Sequence, residues 1–567
     1  MRRIGLIGSV VILSAFVITA DAYGARNSKP KPSHDVAVTN ISVPSSCVQG
    51  DTVHVMVTVK NQGNHDESFN ITLTDVTDGK EIDTQLVSLA FQASVMDDIS
   101  DLTFDEEVSK SLYFGGRLDC CDIDNDNYND VIIGGSTDSG EDRAYLYWGG
   151  PNMDADYDLI FEVAAVGESF CSTVTCSDID NDNYGDVLIG SRNYNNGQGR
   201  VYLYWGDKRA DMDVDVDLIF DVETGGTPEL GSGMRISCGD VDNDNYQDIL
   251  ISGVAYDGTR GRAYLYWGNT KTSMDTGVDL IFEGENQDDE FSYSTGIGNI
   301  DNDNYDDIVI GARGYPAGRN YGRAYLYWGK ARGSMTANAD LIFEAEASEK
   351  LYFGQDVSFG NIDNDGYDDL LIGAQKYNDR QGRAYLYYGD TQSQFTVSAD
   401  KTFNGEVGSG ADFGFCIVCS NINGDDYDDV LIGADASGPG YVFLYYGDTR
   451  AQMNETVDHT FTGESTGDYF SLNFTCGDVN NDNYSDLIAG AVAYPGGGYD
   501  GRAYLYYGGP SKCSTDVTLN WDTSAASKGK HILKVEINPV AGEEDTADNS
   551  KTITVDVKSS FKGKKEK

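Results

Sequence analysis

The sequence predicts an all-β protein: a seven-bladed β-propeller with calcium loops, inserted into a seven-stranded immunoglobulin-like β-sandwich. Three observations carry this reading. A unit of about sixty residues recurs seven times between residues 99 and 510. Each unit holds about four short strand-like segments separated by Gly-rich turns, the pattern of a propeller blade. The flanks, residues 35–89 and 513–557, instead alternate apolar and polar residues as half-buried strands do.

The elements follow in chain order. Met1-Arg2-Arg3, the apolar run from Ile4 to Thr19 and the small residues Ala20 and Ala22 read as a secretory signal over residues 1–22. Residues 23–34 are a linker. Four strands are expected near 35–43, 52–59, 68–75 and 81–87, and three more near 516–521, 531–537 and 552–557. Neither set buries its apolar face alone, so the two flanks are read as one sandwich interrupted by the propeller. A charged tail occupies residues 558–567.

Within the repeats, an acidic phrase starts at residues 122, 178, 240, 299, 361, 421 and 478. An Arg-Ala-Tyr-Leu-Tyr-Trp-Gly type phrase follows each, ending at Gly149, Gly206, Gly268, Gly329, Gly389, Gly447 and Gly508. A third phrase, Asp-Leu-Ile-Phe, sits at 158–161, 217–220, 279–282 and 340–343, with looser forms at 400–403 and 458–461; a seventh copy, Asp-Leu-Thr-Phe, is residues 101–104, ahead of every other repeat strand. The predicted consequence is a ring latched by its N-terminal strand.

The acidic phrase has the donors of a hard-cation loop: side-chain oxygens at positions 1, 3, 5 and 9 and a backbone carbonyl at 7. The candidate metal ligands are Asp122, Asp124, Asp126, Tyr128 and Asp130; Asp178, Asp180, Asp182, Tyr184 and Asp186; Asp240, Asp242, Asp244, Tyr246 and Asp248; and Asn299, Asp301, Asp303, Tyr305 and Asp307. The later loops supply Asn361, Asp363, Asp365, Tyr367 and Asp369; Asn421, Asn423, Asp425, Tyr427 and Asp429; and Asp478, Asn480, Asp482, Tyr484 and Asp486. Position 12 is not a bidentate Glu and a strand follows, so these are not EF-hands. Many flexible protein oxygens favour calcium over magnesium, up to seven structural ions. Loop six, with two carboxylates, is expected to bind weakest.

Composition narrows the function classes. The chain has 93 Asp and Glu against 40 Lys and Arg, a formal charge of −53, and five His in 567 residues. No basic stripe exists for nucleic acid. Only His459 lies between residues 66 and 530, which disfavours His-based catalysis, and no non-repeating acid, base and nucleophile set is present. The chain is therefore read as a non-enzyme with no membrane span after signal cleavage.

The loops, the pairs Phe114-Gly115, Phe353-Gly354 and Phe413-Gly414 before them, and Gly311-Ala312…Pro316 and Gly490-Ala491…Pro495 after them resemble FG-GAP (VCBS-type) repeats. That likeness implies the propeller of integrin α subunits, with structural calcium on one rim and ligands met on the opposite face. Residues 57–63 and 520–549 resemble the CARDB module of microbial surface proteins.

Loops between the second and third strands of each blade differ most, and they lie by this likeness on the ligand face. Their candidate binding residues are Arg192, Tyr194, Tyr256, Arg260, Arg313, Tyr315, Lys376 and Tyr377, an aromatic and cationic set suited to glycans or anionic polymers. The bland alternative is one packed Tyr per blade, and Arg143, Arg200, Arg262, Arg323, Arg383 and Arg502 are read as structural. The expected function is a secreted or cell-surface, calcium-stabilised adhesion protein for an extracellular glycan or protein. The alternatives are a structural component of an envelope or filament and a polysaccharide lyase or hydrolase. Cys176 shares its repeat position with Cys120, Cys238, Cys419 and Cys476 and is expected to be packing rather than bridging, while Cys47 and Cys513 are candidates to pair.

Overall fold

A computed structural model of the chain describes residues 36–61, 67–89, 99–105, 113–135, 142–163, 168–221, 235–316, 318–344, 350–405, 410–434, 438–496, 500–509, 514–540 and 549–559. The signal, the linker, most of the tail and Cys513 lie outside these residues. The chain divides into two compact units, one of residues 1–92 with 513–567 and one of residues 93–512.

In the first unit, both sheets draw strands from both ends of the chain. A three-stranded sheet has the order Val36–Ser42, Thr52–Asn61, Ser514–Asp522. A five-stranded sheet has the order Ser46–Val48, Ser550–Lys558, Gly529–Ile537, Glu67–Asp75, Lys80–Leu89. The register explains the alternation: Val53, Val55 and Val57 face Trp521, Leu519 and Val517 across the ladder, and all six are buried, while Met56 between them is 51% exposed. Eight strands form among the described residues where seven were predicted. The extra one, Ser46–Val48, pairs in parallel with Ser550–Lys558 and is three residues long, too short to show a period.

The second unit contains seven four-stranded sheets among the described residues. The first runs Arg117–Cys121, Asp130–Gly135, Arg143–Tyr147, Leu159–Glu162. The innermost strands of successive sheets, starting at Arg117, Phe170, Ile236, Phe291, Phe353, Ile417 and Phe470, each pack on the next, and the seventh packs back on the first. That closes a ring. The last sheet takes its outer strand from Leu102–Phe104, with Phe104 opposite Ala503 and Leu102 opposite Leu505. The second strand of every sheet is buried along its whole length, as in Asp369–Ala374, because neighbouring sheets cover both faces.

The Phe-Gly pairs have a steric reason. Phe353 is fully buried, and Gly354 sits at φ 82°, where a Cβ would lie 2.6 Å from the Arg323 carbonyl oxygen. Cysteine corrects one expectation: Cys176 is bridged to Cys121, with a Cα–Cα distance of 6.0 Å, which ties the innermost strands of the first two sheets. Alternation along the strand is the cause. Cys121 faces the second sheet, whereas its neighbour Cys120 faces the seventh and lies 3.8 Å from Thr475 Oγ1.

Candidate functional site

Each acidic loop joins the first and second strands of its sheet, and its own backbone folds it. Asp122 accepts from the Asp126 and Asn127 amides, and Asp126 Oδ1 accepts from the Tyr128 amide at 3.1 Å. Positions 4 and 6 are left-handed, Asn125 at φ 57° and Asn127 at φ 69°, which Asn tolerates. In loop six, position 6 is Asp426 and only Gly424, at position 4, is left-handed.

Position 9 has a second task that spacing alone did not reveal. Asp130 is fully buried; its Oδ2 accepts from the Ile123 amide at 2.8 Å and its Oδ1 from the Gly149 amide at 2.8 Å. Asp186, Asp248, Asp307, Asp369, Asp429 and Asp486 repeat the clip. Burial pushes the Asp130 carboxyl up to about 8, against the pull of the two amides.

Metal fit can be judged from the carboxylate oxygens that converge in each loop. Carboxylate oxygens of Asp122, Asp124 and Asp130 lie within 4.8 Å of one another, as do those of Asp178, Asp180 and Asp186 and of Asp240, Asp242 and Asp248. One oxygen at position 3 is buried without a hydrogen-bond partner in four loops: Asp124 Oδ1, Asp180 Oδ1, Asp242 Oδ1 and Asp301 Oδ2. A buried carboxylate oxygen with no donor is costly unless a cation faces it. The donor set therefore fits a hard divalent cation. A fourth cluster, Asp75, Asp78 and His531 in the sandwich, does not fit one: His531 Nδ1 donates to Asp75 at 2.6 Å and Nε2 to the Ser527 carbonyl at 2.7 Å, leaving no ring lone pair for a metal.

The structure adds a contact between sheets. Arg209, from the second sheet, donates to Asp124 Oδ2 at 2.7 Å and Asp126 Oδ2 at 3.0 Å in the first sheet's loop. Lys271 reaches Asp182 at 2.7 Å, Arg332 reaches Asp242 and Asp244, and Arg450 reaches Asp363 and Asp365. So Asp124 gives one oxygen to the next sheet's cation and keeps the other for the loop interior. The signal was present as a basic residue three places after the Trp-Gly or Tyr-Gly pair, in Gly206-Asp-Lys-Arg209 for example.

The FG-GAP repeat family matches residues 172–204 and 353–387, each stretch containing one acidic loop, and the CARDB family matches residues 33–114. The ring thus carries FG-GAP repeats, and the N-terminal flank carries a CARDB match. It is 23% identical over 457 residues to phosphatidylinositol-glycan-specific phospholipase D of Homo sapiens, covering 71% of this chain and 52% of that protein. It is 28% identical over 267 residues to integrin alpha-PS2 of Drosophila melanogaster, covering 44% and 18%, and 27% identical over 180 residues to integrin alpha-6 of Gallus gallus, covering 31% and 16%. The chain thus spans about half the length, or less, of these curated relatives. A solved structure, the Dos1 propeller, aligns over 84% of this chain and 96% of its own at 10% identity with a TM-score of 0.40.

On the other face of the ring the candidate binding residues are mostly engaged. Arg200 stacks on Tyr194 at 3.6 Å, Arg262 on Tyr256 at 3.6 Å, Arg323 on Tyr315 at 3.6 Å and Arg383 on Tyr377 at 3.7 Å. One face of each ring is covered, the arrangement of one packed Tyr per blade. Arg260 pairs with Asp257 and Glu283, Arg313 with Glu290, and Lys376 with Asp412. Arg192 has no ion pair among the described residues.

Arg192 instead lines a cavity of about 540 Å³, together with Arg117 and the apolar side chains Phe170, Phe415, Leu472 and Val492. The cavity opens where the innermost strands begin, at the end opposite the acidic loops. A repeated position five residues before each acidic loop lines the channel below it. There the seven sheets carry Arg117, Thr173, Arg235, Ser294, Asp356, Cys416 and Asn473, all lining the axial channel except Ser294, which is buried against Gly354. Comparing the repeats column by column exposes it, because charge varies there while the packing positions stay fixed.

Proposed function

We propose that this chain is a secreted or cell-surface binding protein, a calcium-stabilised FG-GAP propeller that meets an extracellular glycan or protein ligand on the face opposite the acidic loops. The observation that carries the reading is the division of labour between the two ends of the ring. One end repeats the same oxygen-rich loop seven times, with a buried unpartnered carboxylate oxygen in four of them; at the other, the position lining the channel changes between Arg, Thr, Asp, Cys and Asn from sheet to sheet. Repetition serves the fold, and recognition needs difference. The loop ligands are the side chains at positions 1, 3, 5 and 9 and the carbonyl at 7, from Asp122 through Asp486. When bound, calcium would neutralise their mutual repulsion and add its binding free energy to folding.

The likeness to integrin α chains supports adhesion. The signal-like residues 1–22 support export, and no helix among the described residues is long and apolar enough to cross a membrane. The likeness to a phospholipase D supplies the competing enzymatic reading. The test is size-exclusion chromatography of the mature chain with neutral and anionic polysaccharides and with extracellular-matrix protein, in calcium and then in EDTA. Co-elution that requires calcium is expected. Conversion of a polymer to smaller species would replace the binding reading with a lyase or hydrolase.

A further inference from the structure

We infer that the axial mouth away from the acidic loops receives a carboxylate set beside an apolar side chain, that is, an acidic segment of a protein ligand. The inference rests on the binding reading above and gives it a site and a ligand chemistry.

The charge balance of the mouth is the starting point. In a chain of formal charge −53, two guanidinium groups, those of Arg117 and Arg192, face one cavity with no carboxylate on either among the described residues. Arg117 is held by carbonyls alone: Nε donates to the Ser172 oxygen and Nη1 to the Gly116 oxygen. Asp119, two residues on, is not its partner, because its carboxylate accepts from Thr175, Cys176, Cys120 and Thr475. Arg235, the third cation of the channel, is paired across it with Asp356 at 3.4 Å. Burial, and then the Arg235 and Arg192 charges, push the Arg117 pKa down to about 10. Several other cations of this face are neutralised: Arg313 by Glu290, Arg323 by Glu285 and Glu344, and Lys376 and Arg380 by Asp412.

Clustered cations that lack counter-charge are stabilised by an anion, and a planar guanidinium takes a carboxylate with two parallel hydrogen bonds. The backbone contacts hold Arg117 in place before any ligand arrives, which lowers the ordering cost of binding. The remaining wall selects among anions. Phe170, Phe415, Leu472 and Val492 form an apolar side to a cavity within the common size range of ligand pockets. A sulfated or uronate polymer needs a basic track along its length; here the cation pair is single and walled by hydrocarbon. An Asp or Glu next to a Phe, Leu or Ile satisfies both halves.

The test is selection from a degenerate octapeptide phage library on the full mature chain in calcium. The parent chain is expected to enrich sequences pairing Asp or Glu with Phe, Leu or Ile at least tenfold over input. A synthetic peptide from that pool should lose tenfold or more in affinity on Arg192→Gln, and equally when its acidic residue becomes Asn or Gln. Arg192 is half-buried and makes no ion pair among the described residues, so this variant should melt like the parent; Arg117→Gln serves as a second variant, and Arg192→Lys should restore part of the affinity. Absence of acidic enrichment overturns the inference, as does unchanged affinity in Arg192→Gln. A polysaccharide that co-elutes with parent and Arg192→Gln alike, while no acidic peptide is selected, leaves the binding reading standing and removes this site from it.

Discussion

The ring and the sandwich both close a β-structure using the two ends of a chain, and they do it at opposite sequence ranges. In the ring, among the described residues, the ladders join strands within one repeat except that of Leu102–Phe104, which reaches across to Ala503–Tyr506. In the sandwich, the main ladders cross the whole insertion: Thr52–Asn61 pairs with Ser514–Asp522, and Glu67–Asp75 pairs with Gly529–Ile537. The difference teaches where stability resides. The ring multiplies one local design and depends on seven acidic loops. The sandwich has one core, centred on buried Trp521, Leu519, Ile71 and Leu533, and depends on both halves arriving.

Removing calcium should have the largest effect and confine it to the ring. A site held at a hundredfold excess over Kd contributes about 2.7 kcal/mol, and several sites add. Calorimetry in EDTA should show the ring transition moving down by several degrees or more while the sandwich transition stays put; a common shift of both would merge the two units energetically. Trp521→Ala should do the reverse, costing the sandwich about 3–5 kcal/mol by cavity formation and leaving the ring transition alone. In chemical denaturation, its effect should fall on the sandwich transition only.

Asp130→Ala, measured in EDTA, separates the clip from the metal. It strands two buried amides, those of Ile123 and Gly149, at about 1–3 kcal/mol each. A loss of under about 0.5 kcal/mol there would mean that position 9 matters only through calcium. In the sandwich, His531 is fully buried with both ring nitrogens donating. Burial lowers its pKa, but the Ser527 carbonyl and Asp75 outweigh this and raise it above the ordinary value. The raised folded-state value fixes the sign. The stabilisation is complete below the unfolded pKa of about 6.5 and fades as pH rises through the folded one. The sandwich transition should fall on going from pH 6 to 9, and His531→Gln should flatten that dependence. The smallest effect is expected from Arg332→Met, below about 1 kcal/mol, since its side chain is 37% exposed. That loss should shrink further in high salt.

Much of the molecule is readable along the chain. Strand positions, the acidic loops and the early Asp101–Phe104 strand follow from phrases at fixed spacing, because a repeated local design states its hydrogen bonds many times over. The sandwich core reads from alternation alone, as at Val53, Val55, Val57 and Val59. What could not be read joins residues in different repeats. Cys121 with Cys176 is such a pair, 55 residues apart, and so is Arg209 with Asp124. The aromatic and cationic loop residues illustrate the same limit: Tyr194 and Tyr315 look available in a one-dimensional reading, yet each carries a guanidinium on one ring face.

By itself, then, the sequence determined the local conformations: which segments are strands, where Asn and Gly permit left-handed turns, and which oxygens converge within a loop. The tertiary structure alone decided which cation meets which loop, which thiols meet, and that Arg117 and Arg192 share one cavity. The physical reason is that local backbone preference is fixed over a few residues, whereas side chains of adjacent sheets are brought together by ring closure, which no single repeat specifies.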